Sequence, residues 1–149
     1  MFVFQMEAIE SEGYLYGDGC MMPIYMRLVA WRDGEFQLLK TLEDVQAAFA
    51  PINSADEALS YVLAVTGYSA YYGQQWVPGY RYLSGKVEDS FVRETEAGFV
   101  VHVFDYQFCG CGPHETVSID VQVSRDGHIT RGDYVPMYAD PAEDGLCVD

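Results

Sequence analysis

Thr116–Ser124 reads TVSIDVQVS, and its alternation leaves the chain little choice. Successive side chains of a strand point to opposite sides. Val117, Ile119, Val121 and Val123 therefore share one face, and Thr116, Ser118, Asp120 and Gln122 the other. Such a segment calls for a sheet with one dry and one wet face. Its neighbours extend the pattern. Asp126-Gly127 is a hairpin signal, so Ile129–Val135 is expected to return as a strand. Upstream, Phe99–Phe108 places Val100, His102, Phe104, Tyr106 and Phe108 on one face, with Val101, Val103, Asp105 and Gln107 opposite. Gly98 closes the preceding turn with a positive φ, and Lys86–Thr95 leads into it. Four antiparallel strands follow as a meander.

Two helices are expected ahead of it. Thr41-Leu42-Glu43-Asp44 resembles a capping box, with Leu42, Val45 and Phe49 on one helical face and Pro51 as the stop. Ser54-Ala55-Asp56-Glu57 repeats the signal before EALSYVLAV, which ends at Gly67. That helix is apolar nearly all round, so it is read as central, covered on more than one side. Earlier still, Asp33-Gly34 joins strands at about Ile24–Trp31 and Glu35–Lys40.

The fold class read from this order is α+β: a central helix in the concave side of a curved four-stranded antiparallel meander, preceded by a β-hairpin and a short helix. One domain is expected over 1–149. Its parts are an N-terminal hairpin region (1–40), the helices (41–67), an aromatic loop (68–83), the meander (84–135) and an acidic tail (136–149). From Ser54 to Val135 the element order resembles that of cystatin-like and NTF2-like folds. Those folds host inhibitors, dimerisation modules and ligand pockets alike, so the resemblance implies no single function.

Charge narrows the partners. The formal net charge of −15 disfavours nucleic acid, whose phosphates require Lys and Arg, and anionic membrane surfaces. The acidity collects at the two termini, and a protein partner with a basic surface fits it; a homodimer is also open. No apolar run approaches the roughly 18 residues of a membrane span. The opening residues carry neither a basic region nor a long apolar one, so a cytoplasmic location with free thiols is expected. Were the chain secreted, Cys20–Cys147 would be the natural pair.

Two stretches carry candidate function. Tyr68–Tyr82 holds five tyrosines and Trp76 among Gly and Pro breakers. Tyr and Trp dominate interaction hot spots, so Tyr72, Trp76, Tyr80, Tyr82, Tyr134 and Tyr138 are the candidate interaction residues. Strand arithmetic puts them at one end of the sheet with the loop after Phe108. That loop, CGCGPH, offers Cys109, Cys111 and His114 as zinc ligands, with Cys147 as the fourth. His102 lies about 23 Å away along a strand, and His128 at the far turn. No phosphate loop, dinucleotide fingerprint or hydrolase motif is present. The expected function is a non-enzymatic acidic interaction module of inhibitor, immunity or decoy type, without a cofactor. The alternatives are a small zinc protein or hydrolase using CGCGPH, and a small-ligand pocket between helix and sheet.

Overall fold

The computed structural model describes residues 2–4 and 12–149; Glu7 and Glu10 of the acidic amino-terminal flank lie outside them. In chain order come β1 (Phe2–Phe4), β2 (Tyr16–Asp18), β3 (Ile24–Arg32), β4 (Glu35–Leu39), α1 (Leu42–Phe49) and α2 (Ala55–Thr66). There follow β5 (Arg81–Tyr82), β6 (Phe91–Thr95), β7 (Gly98–Gln107), β8 (Gly110–Cys111), β9 (Glu115–Ser124), β10 (Ile129–Arg131), β11 (Val135–Ala139) and β12 (Cys147–Val148).

The α+β arrangement expected above, a central helix on a four-stranded meander, is not what forms. The chain is mostly β, 41% strand against 17% helical, and two α-helices are the only ones among the described residues. One sheet orders its strands β1-β3-β2, with β4 also on β3. The main sheet is curled and antiparallel, ordered β5-β11-β9-β7-β6, with β10 also on β9. The helix-then-meander order of cystatin-like and NTF2-like folds therefore does not describe this molecule.

The discrepancy has local causes. The expected fourth strand, Ile129–Val135, is broken. Gly132 N–H donates to Asp120 O at 2.9 Å, and a Cβ at Gly132 would lie 2.9 Å from that same oxygen. The chain dips there and resumes as β11, which continues along the same edge of β9 and then pairs with β5. The expected first strand loses its opening half. Asp89 and Ser90 spend their side chains on the aromatic loop, and only Phe91 onward pairs with β7.

What short-range patterning specified locally does form. β3 and β4 pair across Asp33-Gly34. Thr41 and Asp44 make a reciprocal capping box on α1. Ser54 caps α2, while Glu57 reaches past it to the backbone N–H of Asn53. Gly67 ends α2 in the left-handed conformation. Gly98 sits where β7 begins against β9; a Cβ there would fall 2.1 Å from Val123 O, so the close approach itself requires glycine.

One buried cluster joins these parts. Ala58, Tyr61, Val62 and Val65 of α2 pack on Val101, Val103, Ile119, Val121 and Val123 of β7 and β9, with Leu39 of β4 and Val45 of α1 in the same cluster. The opposite face of β9 is wet only in its lower half. Asp120 and Gln122 are exposed, but Thr116 and Ser118 are buried. Ser118 donates to Met137 Sδ of β11 at 3.3 Å, and Thr116 shares a groove with the aromatic loop.

Candidate functional site

The loop reaches that opposite face by passing around the sheet edge. Tyr68 lies on the α2 side, where its hydroxyl meets that of Tyr134 at 2.9 Å. Ser69 then exchanges both backbone hydrogen bonds with Phe104 at the β7 edge. Two residues on, Tyr71 stacks on fully buried Phe104, with ring centroids 5.2 Å apart and planes 22° apart. From there the chain lines an open groove of about 520 Å³ with Tyr71, Tyr72, Gln74, Tyr80, Tyr82 and Tyr138.

Side-chain bonds replace regular secondary structure in fixing this groove. The Asp89 carboxylate accepts from the backbone N–H groups of Gly73 at 2.9 Å and Gln74 at 2.8 Å. Those two bonds hold its pKa below the ordinary carboxylate range. Ser90 binds Tyr71 twice, its Oγ accepting from Tyr71 N–H and its N–H donating to Tyr71 O. Val77 N–H donates to the Tyr82 hydroxyl at 2.6 Å, and Trp76 packs against the Tyr82 ring at 3.9 Å. Tyr138 arrives on β11 opposite Tyr82 and Thr116 and packs between Tyr80 at 5.7 Å and Tyr82 at 5.9 Å. Half-burial raises its pKa.

Of the six candidate interaction residues, Tyr72, Tyr80, Tyr82 and Tyr138 line one groove, and Trp76 packs on Tyr82 beside it. Tyr134 does not join them. It lines a separate cleft beyond the C-terminus of α2 with Tyr16, Asp18, Tyr68, Asp105 and Arg131. The sequence pattern did not mark Gln74, Gln75 or Thr116 as groove residues. A hydrophobicity pattern reads amides and hydroxyls as loop or wet face, and only the course of Tyr68–Tyr82 shows what they line.

The CGCGPH loop adjoins this end, and its chemistry is covalent. Cys20 is bonded to Cys109 and Cys111 to Cys147. This corrects the expectation of free thiols and also the Cys20–Cys147 pairing. β12 pairs with β8 in a register that sets Cys147 directly opposite Cys111, which leaves Cys109 for the amino-terminal segment. Bonded sulfurs are neither thiolate ligands nor nucleophiles. His114, the remaining member of the proposed zinc set, is buried, with Nε2 at 3.2 Å from Gly110 O. No group of three or more His, Cys, Asp or Glu residues that could hold a metal occurs among the described residues. His102 is also buried. Its Nδ1 meets Asp120 at 2.7 Å and Phe91 stacks on its ring, but Nε2 has no hydrogen-bond partner among the described residues.

The acidic tail is built into the structure here. Asp144 pairs with both Nη atoms of Arg81, at 2.6 and 3.3 Å. Glu143 accepts from the Tyr106 hydroxyl, a bond that pushes the Tyr106 pKa up to about 12. Asp140 caps the 3-10 turn Pro141–Glu143 through Ala142 N–H. Gly112 backs onto this turn so closely that a Cβ would meet Glu143 O at 2.7 Å.

Comparison of the chain with protein-family models, with curated proteins and with solved structures finds no match. The functional reading therefore rests on this geometry alone.

Proposed function

We propose that this protein is a non-enzymatic recognition module that takes its partner in the tyrosine groove. The observation that carries the reading is preorganisation. A loop with little regular structure is pinned at Tyr71, Gly73, Gln74 and Val77 by specific hydrogen bonds, and its rings still face solvent. Trp76 and Tyr72 are 55% and 62% exposed. A core needs its aromatic residues buried. A binding surface needs them fixed beforehand, because rings that are already ordered cost little entropy on association. The partner is a macromolecule displaying matching surface, and the remaining acidity disfavours an anionic one.

The two disulfides support an oxidising compartment, extracellular or equivalent, in place of the cytoplasm. No described helix is long and apolar enough to cross a membrane.

The test is retention of partners from the native extracellular milieu by immobilised protein. Wild type is expected to retain a discrete partner that the Trp76→Ala/Tyr80→Ala double variant loses. A partner held equally by both ends the groove reading.

A second observation favours a small apolar ligand elsewhere. A cleft of about 270 Å³ lies between α1, α2 and β3, lined by Leu28, Val45, Phe49, Ile52, Tyr61 and Ala64. An apolar fluorescent dye that binds wild type and is displaced in Ala64→Phe would support it; equal binding to both proteins would remove it.

A further inference from the structure

Resting on the groove as the binding site, we propose that what it grips is a neutral oligosaccharide chain, free or carried on a glycoprotein. The groove lacks the charge that marks the rest of the chain. The chain carries eight basic and 23 acidic side chains. Yet the groove lining, five tyrosines with Gln74, Gln75, Thr116 and small apolar side chains, includes no carboxylate, ammonium or guanidinium among the described residues. Arg81 and Asp144, beside it, are consumed by each other. A charged ligand would enter this groove without a counter-charge, and a desolvated unpaired charge is costly.

The polar groups that line it are hydroxyls and amides. Hydroxyls both donate and accept, as the hydroxyls of a sugar do. Gln74 donates one N–H of its side-chain amide to Glu88 O, which leaves the other N–H as a donor and Oε1 as an acceptor. That suits a ligand whose groups, like sugar hydroxyls, both donate and accept.

Its shape fits a sugar chain as well. Tyr80 and Tyr138 are inclined at 37°, Tyr82 and Tyr138 at 55°, and Trp76 and Tyr82 at 53°. Adjoining rings thus offer several flat faces. The C–H faces of pyranose rings pack on such surfaces, where the negative ring face meets polarised C–H bonds. The volume of about 520 Å³ lies within the roughly 300–1,000 Å³ of small-molecule sites, and the groove is open, so a chain can run through it.

The experiment titrates the oxidised full chain, in a Trp31→Phe background that leaves Trp76 as the only tryptophan, with cellohexaose, chitohexaose, mannohexaose and xylohexaose. Decaproline and a heparin oligosaccharide complete the panel. At least one neutral hexasaccharide is expected to saturate the protein and shift Trp76 emission. Its affinity should be unchanged by salt, since no ion pair forms. Tyr80→Ala should weaken it roughly tenfold, the loss of one anchoring ring. Tyr134→Ala, in the other cleft, should leave it unchanged. Absence of saturable neutral binding, a preference for decaproline or heparin, or binding indifferent to Tyr80→Ala each overturns the proposal. Enzymatic deglycosylation of a retained partner separates the sources. Loss of retention, together with saturation by a free hexasaccharide, places the sugar on a glycoprotein. Retention that survives, together with saturation by a free hexasaccharide, places it on a free polysaccharide. A partner that depends on Trp76 and Tyr80 but survives deglycosylation, with no hexasaccharide bound, refutes the sugar and leaves the groove reading standing.

Discussion

The two ends of the main sheet are held together by different physics. The lower half, from Gly98 and Ser124 upward, rests on the lower rungs of the ten-rung ladder between β7 and β9 and on apolar side chains packed beneath α2. The upper end has few buried aliphatic side chains above Phe104 and Met137. It is held by two disulfides, an Arg81–Asp144 pair and side-chain bonds to loop backbone. The difference follows from what each end presents. Burial stabilises whatever it hides, so an aromatic groove that must stay open cannot be stabilised by its own burial. Covalent bonds and backbone-directed carboxylates hold it without covering it.

The largest expected effect is at the upper end. Cys20–Cys109 closes a separation of 89 residues and Cys111–Cys147 one of 36. Loop entropy assigns each about 4 kcal/mol, the longer loop slightly more. Replacing either pair by serine should lower stability in chemical denaturation by about that amount and loosen the groove. An unchanged midpoint in both double variants would mean that the polar network suffices alone. In the lower half, Ile119→Ala, at a residue 1% exposed, should cost about 2–5 kcal/mol yet leave ligand affinity unchanged while the protein is folded. A groove that weakens in parallel with the core would erase the distinction between the two ends.

The same division decides what was legible in the sequence. The lower half was readable, because burial leaves a period: Val117, Ile119, Val121 and Val123 alternate, and all four are buried. Asp33-Gly34, Asp126-Gly127, the Thr41–Asp44 box and Gly67 are equally local signals. The upper end follows from long-range events with no period. Which cysteines pair depends on β12 finding β8. β11 reaches β5 only after the interruption at Gly132, which depends on an approach to Asp120 O and broke the expected fourth strand. Of the groove, the aromatic residues were legible by type. Their division into two sites was not, because Tyr68–Tyr82 crosses the sheet edge at Ser69, and Tyr134 and Tyr138 fall on opposite sides of that crossing.

The smallest effect is the most specific to the groove. Asp89 is a surface carboxylate whose pKa is depressed by the Gln74 and Gly73 N–H groups it accepts from. A depressed folded-state pKa means a contribution fully present above the unfolded value of about 3.9 and lost as pH falls through the lower folded value. Acidification should therefore release the loop at Gly73 and Gln74. The reporter is the hydrogen-exchange protection of those two amides relative to Val101 and Ile119. Protection should fall selectively at Gly73 and Gln74 as pH drops through that window. Asp89→Asn, which removes the charge and one acceptor oxygen, should show reduced protection already at neutral pH with the denaturation midpoint near wild type. If the two amides stay protected in the variant, the Tyr71–Ser90 bonds and ring packing fix the loop without Asp89. The polar half of the comparison would then reduce to the disulfides.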